Sequence, residues 1–309
     1  MNAPLRSTTL ARQASPFDLD DEASYRRWRD AKLAARPAGI DDLLVDIADP
    51  LALTVAEREA LLQRLSRANM ALYRGPARAC DRDVVTGLGR QLGLCQLDGH
   101  WLAEEDGVSR IAVSAQSDGR GGYIPYTDNP IRWHTDGYYQ GTERRIRGMV
   151  LHCVRPACEG GVNGLMDHEL AYIALRDASP DHVRALMAPD AMTIPERRDD
   201  DGVARAATTG PVFSVDTADG ALHMRYTART RSIQWKDDAA TRAAVDCLQA
   251  ILSSESPQVL HVRMEAGMGL VSHNVLHDRS AFHDDSRQPR LLYRARYLDR
   301  SAAPELPWR

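Results

Sequence analysis

The chain has 309 residues, of which 43% are hydrophobic, and this proportion fits a globular protein with a sizeable core. Its 39 Lys and Arg and 43 Asp and Glu give a net charge of −4, without the basic excess typical of nucleic-acid-binding proteins. No apolar run is long enough for a membrane-spanning helix, and the N-terminus lacks the apolar centre of a secretory signal. We therefore expect a cytoplasmic protein whose partner is a small molecule, with no nucleic-acid or membrane partner. A homo-oligomer is compatible with the sequence.

The N-terminal third combines predicted helices with short strands. Residues 1–16 are rich in Ser, Thr, Ala and Pro and predict a disordered tail. A helical pattern over about 53–68 begins with a Thr54-x-x-Glu57 capping box. Further helices are predicted at 22–35 and 81–93, and strands at 43–47 and 69–75.

After residue 100, short apolar segments stand between turns rich in Gly, Pro and Asp. Many short strands with turn signals between them predict a β sandwich or barrel. Two helices, at 168–177 and 238–254, interrupt the series. We predict a single, mainly β domain over residues 17–309, with flanking helices on its outside. The predicted strands include SRIAVSA, GMVLHCV, NGLMD, GPVFSV, ALHMRYT, QVLHVRM, GLVSHNVL and RLLYRARYL.

The segment IRWHTDGYYQ, residues 131–140, places His134 and Asp136 two positions apart. Residues i and i+2 of a strand project from the same face, so the imidazole and the carboxylate would point to one place. Two histidines and one carboxylate form the facial triad of non-haem Fe(II) oxygenases. An isolated H-x-D pair also fits a surface turn with alternating polar residues. The interpretation therefore depends on a third ligand.

Two histidines near the C-terminus are candidates for that ligand. The segment GLVSHNVLHDRSAF, residues 269–282, contains His273 and His277. Residues four apart on one strand share a face, so the pattern alone does not decide between these two histidines.

Three motifs together resemble one family. WHTD at 133–136, N-x-L-H-x-R-x-x-F at 274–282 and the R-x-x-x-R spacing from Arg290 stand in the order used by the taurine dioxygenase and γ-butyrobetaine hydroxylase superfamily. The resemblance covers about residues 40–300. It implies a double-stranded β-helix, or jelly roll, of the clavaminate synthase-like type. It also implies a dioxygenase that uses Fe(II), 2-oxoglutarate and O2 to hydroxylate a small anionic or zwitterionic substrate, with release of succinate and CO2.

The resemblance assigns roles to individual residues. It implies that His134, Asp136 and His277 are the iron ligands, and its L-H-x-R pattern favours His277 over His273. It implies that Arg290 binds the distal carboxylate of 2-oxoglutarate, a task that suits a planar guanidinium because it grips a carboxylate through two parallel hydrogen bonds.

Other residues are expected around the cosubstrate and the substrate. Asn163 stands where the family has a threonine that assists Arg290, and its amide can still donate a hydrogen bond. The resemblance implies that Arg294 contacts the anionic group of the substrate, the alternative being an ion pair with a neighbouring acidic side chain. Tyr138 and Tyr139 are candidates to line the substrate pocket, where they could hold a quaternary ammonium through cation–π contacts. The alternative is that both tyrosines are core or turn residues.

The sequence also predicts a lid and leaves two alternative functions to consider. A lid is expected around residues 190–235, centred on the polar stretch 193–213. A zinc hydrolase can also use two histidines and one aspartate, but the sequence has no HExxH segment. A non-catalytic jelly-roll binding protein would have little reason to keep the three ligands together with Arg290.

Overall fold

The computed structural model describes residues 15–77, 82–99, 106–114, 123–199, 202–229, 233–253, 256–285 and 287–304. The predicted tail lies outside the described residues, except for its last two positions. In chain order, the helices of the described ranges are α1 (Glu22–Ala35), α2 (Val55–Ala68), α3 (Val84–Gln91), α4 (His168–Ala178), α5 (Pro180–Leu186) and α6 (Ala239–Ser253). No described helix is both long and apolar enough to cross a membrane.

The same ranges contain many short strands, as the turn signals predicted. They are β1 (Leu44–Asp46), β2 (Met70–Arg74), β3 (Val108–Ile111), β4 (Ile131–His134), β5 (Gly148–Arg155), β6 (Glu159–Gly160), β7 (Asn163–Met166), β8 (Met192–Ile194), β9 (Arg197–Asp199), β10 (Gly202–Arg205), β11 (Thr208–Gly210), β12 (Phe213–Val215), β13 (Leu222–Met224), β14 (Gln234–Trp235), β15 (Leu260–Val262), β16 (Met268–Ser272), β17 (Leu276–Arg279), β18 (Phe282–His283) and β19 (Leu291–Tyr297).

Two sheets form the centre of the structure. The larger sheet has the strand order β1-β2-β16-β5-β19-β3, and the smaller one has the order β15-β7-β17-β4. One apolar cluster joins Leu72 and Leu270 of the larger sheet to Leu165 and Val262 of the smaller sheet. Because side chains alternate between the two faces of a strand, this cluster defines the inner face of each sheet.

Helices cover the outer face of each sheet. Tyr73 and Val271 of the larger sheet pack in a cluster with residues of α2 and α3. Met166 and Leu276 of the smaller sheet pack in a cluster with residues of α1, α4, α5 and α6. The prediction of a mainly β fold with helices on the outside is confirmed.

The segment GLVSHNVL, predicted as one strand, is interrupted at Asn274. This residue has a φ of 56°, in the left-handed region that asparagine tolerates better than most residues. The chain before it forms β16 in the larger sheet, and the chain after it forms β17 in the smaller sheet. The expectation that His273 and His277 share one strand face is therefore wrong.

The region 190–235 contains more regular structure than a polar lid suggested. β8, β11 and β14 form a three-stranded sheet, and β12 and β13 form a hairpin in which Ser214 pairs with His223. Short helix α5 was also missing from the prediction, because its seven residues are too few to show a helical period.

Candidate metal centre

The structure brings His134, Asp136 and His277 together where β4 ends. β4 and β17 are antiparallel neighbours, and His134 lies opposite His277 in their register. The two imidazole rings have centroids 4.2 Å apart. Asp136 follows β4 in a turn, rather than on the strand as predicted. One potential ligand atom of each residue lies within 4.8 Å of those of the other two.

The free atoms of this triad fit a metal ion. Nδ1 of His134 lies 2.9 Å from the carbonyl of Arg132, and Nδ1 of His277 lies 2.9 Å from the carbonyl of Val275. A carbonyl only accepts, so each Nδ1 carries the proton and each Nε2 keeps a free lone pair. Oδ2 of Asp136 is buried and has no hydrogen-bond partner among the described residues. Two such imidazoles and one carboxylate are the donor set of a non-haem Fe(II) site.

The electrostatics of the triad favour the ligand forms of its side chains. Burial, together with the charge of His277, lowers the pKa of His134 to about 3, so its imidazole is neutral at physiological pH. Burial opposes the charge of Asp136, yet Arg294 and Arg296 hold the pKa of that carboxyl well below its usual range. Metal binding requires neutral imidazole and ionised carboxylate, and the site maintains both.

Asn274 fixes the position of Asp136. Its Oδ1 accepts a hydrogen bond from the Asp136 N–H at 2.7 Å, and its Nδ2 donates to the Asp136 carbonyl at 2.9 Å. The same Nδ2 donates to the carbonyl of Ile146 at 2.8 Å. Asn274 is the first residue of the N-x-L-H-x-R-x-x-F segment, but no role was predicted for it. Its contacts depend on the tertiary fold.

Arg290 presents a buried positive charge that Asp284 attracts but that no described acidic residue pairs with directly. The residue is 5% exposed, and its guanidinium lies 5.0 Å from the centroid of the Phe282 ring. Among the described residues, its guanidinium has no hydrogen bond or ion pair, and burial lowers its pKa. A Cβ on Gly161 would lie 3.7 Å from its Nε, so the Gly160–Gly161 turn adjoins it. Asn163 begins β7 just beyond this turn, and its Nδ2 donates to the Gly161 carbonyl at 3.3 Å.

Arg294 is tied to the metal triad. Its Nη1 donates to Oδ1 of Asp136 at 3.1 Å, while its Nε is buried without a partner among the described residues. This contact matches the alternative that an acidic side chain neutralises Arg294. Tyr138 lies beside the triad as well, with its ring edge-on to His134 at 6.5 Å between centroids.

A second buried ion pair, which was not predicted from the sequence, lies close to the Asp136–Arg294 pair. Nη2 of Arg296 donates to Oδ2 of Asp98 at 2.5 Å, and its Nη1 donates to the Tyr139 hydroxyl at 3.0 Å. Asp98 also accepts hydrogen bonds from Gln140 and Arg144. The alternating Arg294 and Arg296 on β19 were a visible signal, because residues two apart on a strand share a face.

A comparison with protein families agrees with this geometry. Residues 31–296 match the model of the family described as taurine catabolism dioxygenase TauD, TfdA family. The chain therefore belongs to this family of dioxygenases, and the resemblance found in the sequence is confirmed.

Two curated relatives are similar to this chain in sequence. A uridine-5'-phosphate dioxygenase from Amycolatopsis sp is 33% identical over 174 residues, which cover 54% of this chain and 60% of the relative. Another from Streptomyces sp is 33% identical over 193 residues, 59% of this chain and 65% of the relative. The matches thus span less than two thirds of each relative.

Several solved structures are similar to this protein in fold. A non-haem iron oxygenase, OrfP, in complex with Fe and alpha-ketoglutaric acid superimposes with a TM-score of 0.58 and 18% identity, over 90% of this chain and 92% of that one. Asparagine oxygenase superimposes with a TM-score of 0.57 and 16% identity, over 93% of this chain and 91% of that one.

Proposed function

We propose that this protein is an Fe(II)- and 2-oxoglutarate-dependent dioxygenase in which His134, Asp136 and His277 hold the iron. The observation that carries the proposal is the convergence of two imidazoles with free Nε2 atoms on a buried, unpartnered carboxylate oxygen, all within 4.8 Å. When bound, iron and 2-oxoglutarate supply the oxidising chemistry with O2, and the protein supplies binding and orientation. The two facing sheets support a double-stranded β-helix of the clavaminate synthase-like type around this centre.

Arg290 is proposed to bind the distal carboxylate of 2-oxoglutarate. Its buried guanidinium is attracted by Asp284 but forms no ion pair with it or with any other described residue, and the cosubstrate carboxylate would supply one. Two parallel hydrogen bonds would then replace the water that burial removes. Asn163 adjoins the same Gly160–Gly161 turn and would add a polar contact, although its Nδ2 already donates to the Gly161 carbonyl.

Arg294 is proposed to keep Asp136 ionised and oriented, through the 3.1 Å contact between Nη1 and Oδ1. Its unpartnered Nε leaves a hydrogen-bond donor for a substrate oxygen. Tyr138, edge-on to His134, would border the substrate, whereas Tyr139 is held by Arg296. These side chains bind and orient, and the apolar cluster that includes Tyr138 excludes water from one side of the centre.

We infer that residues 17–309 form one catalytic domain and that the region 190–235 forms a lid over the substrate site. The Arg205 guanidinium of this region lies 5.3 Å from the centroid of the Tyr139 ring, and the Thr208 hydroxyl donates to the Tyr139 carbonyl at 3.2 Å. These contacts support a lid that touches the substrate side of the metal centre.

A nucleoside 5'-phosphate is the proposed substrate class. The support is the similarity to two uridine-5'-phosphate dioxygenases, which agrees with the small anionic substrate predicted from the sequence. The test is succinate release by the Fe(II)-loaded protein with 2-oxoglutarate, with and without uridine 5'-phosphate. Stimulated, iron-dependent succinate release is expected. A zinc hydrolase or a non-catalytic binding protein would release none under any of these conditions.

A further inference from the structure

A narrow polar pocket opens beside the metal centre, next to the turn that carries Asp136. The 135–138 segment forms one wall, and residues of the 190–235 region form the opposite wall. Arg145, Arg225, His223 and Ser214 all line the pocket, and Asp136 is its only acidic lining residue among those the structure describes. Because Asp136 already contacts Arg294 and serves the metal triad, the pocket has an excess of positive charge.

Arg225 has no anionic partner in the part of the chain that the structure describes. Its Nη2 donates to the carbonyls of Met192 and Thr208 at 3.0 and 3.1 Å, and its Nε is buried without a partner among the described residues. A Cβ on Gly210 would lie 2.8 Å from its Nη1, so the guanidinium lies against the backbone of this pocket residue. Burial and the charge of Arg145 lower the pKa of Arg225 to about 10, which leaves it positive at neutral pH.

Arg145 is the second positive group. Its closest hydrogen bond among the described residues is a long one, 3.5 Å from Nη2 to the Thr142 hydroxyl. Asp216 attracts Arg145 electrostatically, but it forms its ion pair with the neighbouring Arg147 at 3.4 Å. Arg147 is also paired with Asp219. The fold therefore neutralises Arg147 and leaves Arg145 to face the pocket.

His223 and Ser214 supply neutral hydrogen-bonding groups. They lie opposite each other on β12 and β13, and both side chains are half-buried. Burial and Arg145 hold the pKa of His223 well below its ordinary value, so its ring is neutral and offers one N–H donor. No hydrogen bond of either side chain is found among the described residues. Two guanidiniums with an imidazole and a hydroxyl are suited to a tetrahedral oxyanion.

We propose that Arg145, Arg225, His223 and Ser214 bind the phosphate group of a phosphate monoester substrate. The pocket assigns the anion of the substrate to the wall formed by β12 and β13, and not to Arg294, whose charge is already shared with Asp136. The inference deepens the proposed function and rests on it, because the occupant is taken to be the substrate of the metal centre.

Calorimetric titration of the full chain tests the proposal with three probes, uridine 5'-phosphate, uridine and inorganic phosphate. The wild type is expected to bind uridine 5'-phosphate about tenfold or more tightly than uridine, with inorganic phosphate competing weakly. Arg225→Ala and Arg145→Ala should each weaken the binding of uridine 5'-phosphate by about tenfold or more, since each removes charged hydrogen bonds. Arg184→Ala, an exposed arginine of α5, is the matched control and should bind as the wild type does.

Several results would overturn the proposal. They are equal affinity for uridine 5'-phosphate and uridine, wild-type affinity in both arginine variants, binding of inorganic phosphate alone, or no binding of either phosphate probe at millimolar concentration. If Arg225→Ala fails to fold, Arg145→Ala decides, because its long bond to Thr142 gives it little structural role. The visible absorption of the anaerobic Fe(II)–2-oxoglutarate complex is recorded for every variant. If the wild type binds uridine 5'-phosphate but does not show that absorption, the result would count against the proposed function and not against the phosphate pocket.

Discussion

The side-chain amide of Asn274 bonds to both backbone groups of Asp136, accepting from its N–H at 2.7 Å and donating to its carbonyl at 2.9 Å. Asn274 thereby fixes the turn that carries Asp136, the proposed carboxylate ligand, 138 positions away along the chain. It also occupies the left-handed backbone conformation that separates β16 from β17. One residue thus determines both where the chain changes sheets and where the carboxylate of the metal triad stands.

Replacing Asn274 by alanine should destabilise the protein and weaken metal binding. The change removes three buried hydrogen bonds, which corresponds to about 3 kcal/mol of unfolding free energy. Urea denaturation and metal titration measure the two effects. Asn69→Ala is the matched control, because Asn69 also has a φ of 56° but lies at the end of α2. The control should lose stability and keep its metal affinity. Equal metal affinity in Asn274→Ala and the wild type would contradict the positioning role.

Each histidine of the triad should be required for iron. We expect one Fe(II) per chain after anaerobic reconstitution, and markedly less in His134→Ala and in His277→Ala. Metal analysis of the purified variants measures this. His273→Ala is the control, because His273 bonds to Ser301 and lies outside the triad. Unchanged iron content in both triad variants would refute the ligand assignment.

The two arginines of the R-x-x-x-R segment should differ in their effect on 2-oxoglutarate. Arg290→Ala would leave the cosubstrate carboxylate without its charged partner in a desolvated site, at a cost of roughly 2–5 kcal/mol. The apparent dissociation constant for 2-oxoglutarate should therefore rise about 30-fold or more. Titration of the anaerobic Fe(II) protein, followed by its visible absorption, gives the constant. Arg294→Ala should need more Fe(II) for loading, because it loses the contact with Asp136. Once loaded, it should bind 2-oxoglutarate nearly as the wild type does, and the reverse pattern would mean that the two roles are exchanged.

The metal-free protein should lose stability as the pH falls below about 6.5, in part through His168. Burial lowers the pKa of His168 in the folded state, and its Nε2 lies 3.0 Å from the Leu222 carbonyl. The unfolded chain therefore binds a proton that the folded chain does not, and acidification favours unfolding, with a slope of at most about 1.4 kcal/mol per pH unit for this residue. Urea denaturation between pH 5 and 7.5 should give a smaller slope for His168→Gln. The exposed His283 provides the control variant, and an unchanged slope in His168→Gln would contradict the prediction.

Local signals in the sequence predicted local structure well. The capping box at Thr54 and Glu57 forms as predicted, because all of its partners lie within four residues. His134 and Asp136 could be nominated from their spacing, and the resemblance to a known family added His277. The interruption at Asn274 could not be predicted, since the short polar run Ser272–Asn274 contains no glycine or proline that would mark a break. Its conformation depends on hydrogen bonds to residues far away in the chain.

The partners of the supporting charges could not be predicted from sequence patterns, for the same reason. Arg296 and Asp98 form a buried ion pair although they are 198 positions apart, and no pattern near either residue in the sequence indicates this pairing. The pocket around Arg145 and Arg225 likewise arises only when the β12–β13 hairpin meets the 135–142 segment. An isolated arginine in a sequence gives no sign of whether an acid will neutralise it.

The register that places His134 opposite His277 has a mechanical consequence. β4 is the last strand of the smaller sheet, joined to β17 on one side and covered on the other by a few bonds to residues 226–228. An ion held by both histidines would link β4 to β17 and stabilise this edge of the sheet. Chelation of the metal should then weaken the pairing of β4 with β17. The backbone amides of β4 should exchange with solvent deuterium faster after chelation than before it, and faster than those of β5, in the middle of the larger sheet.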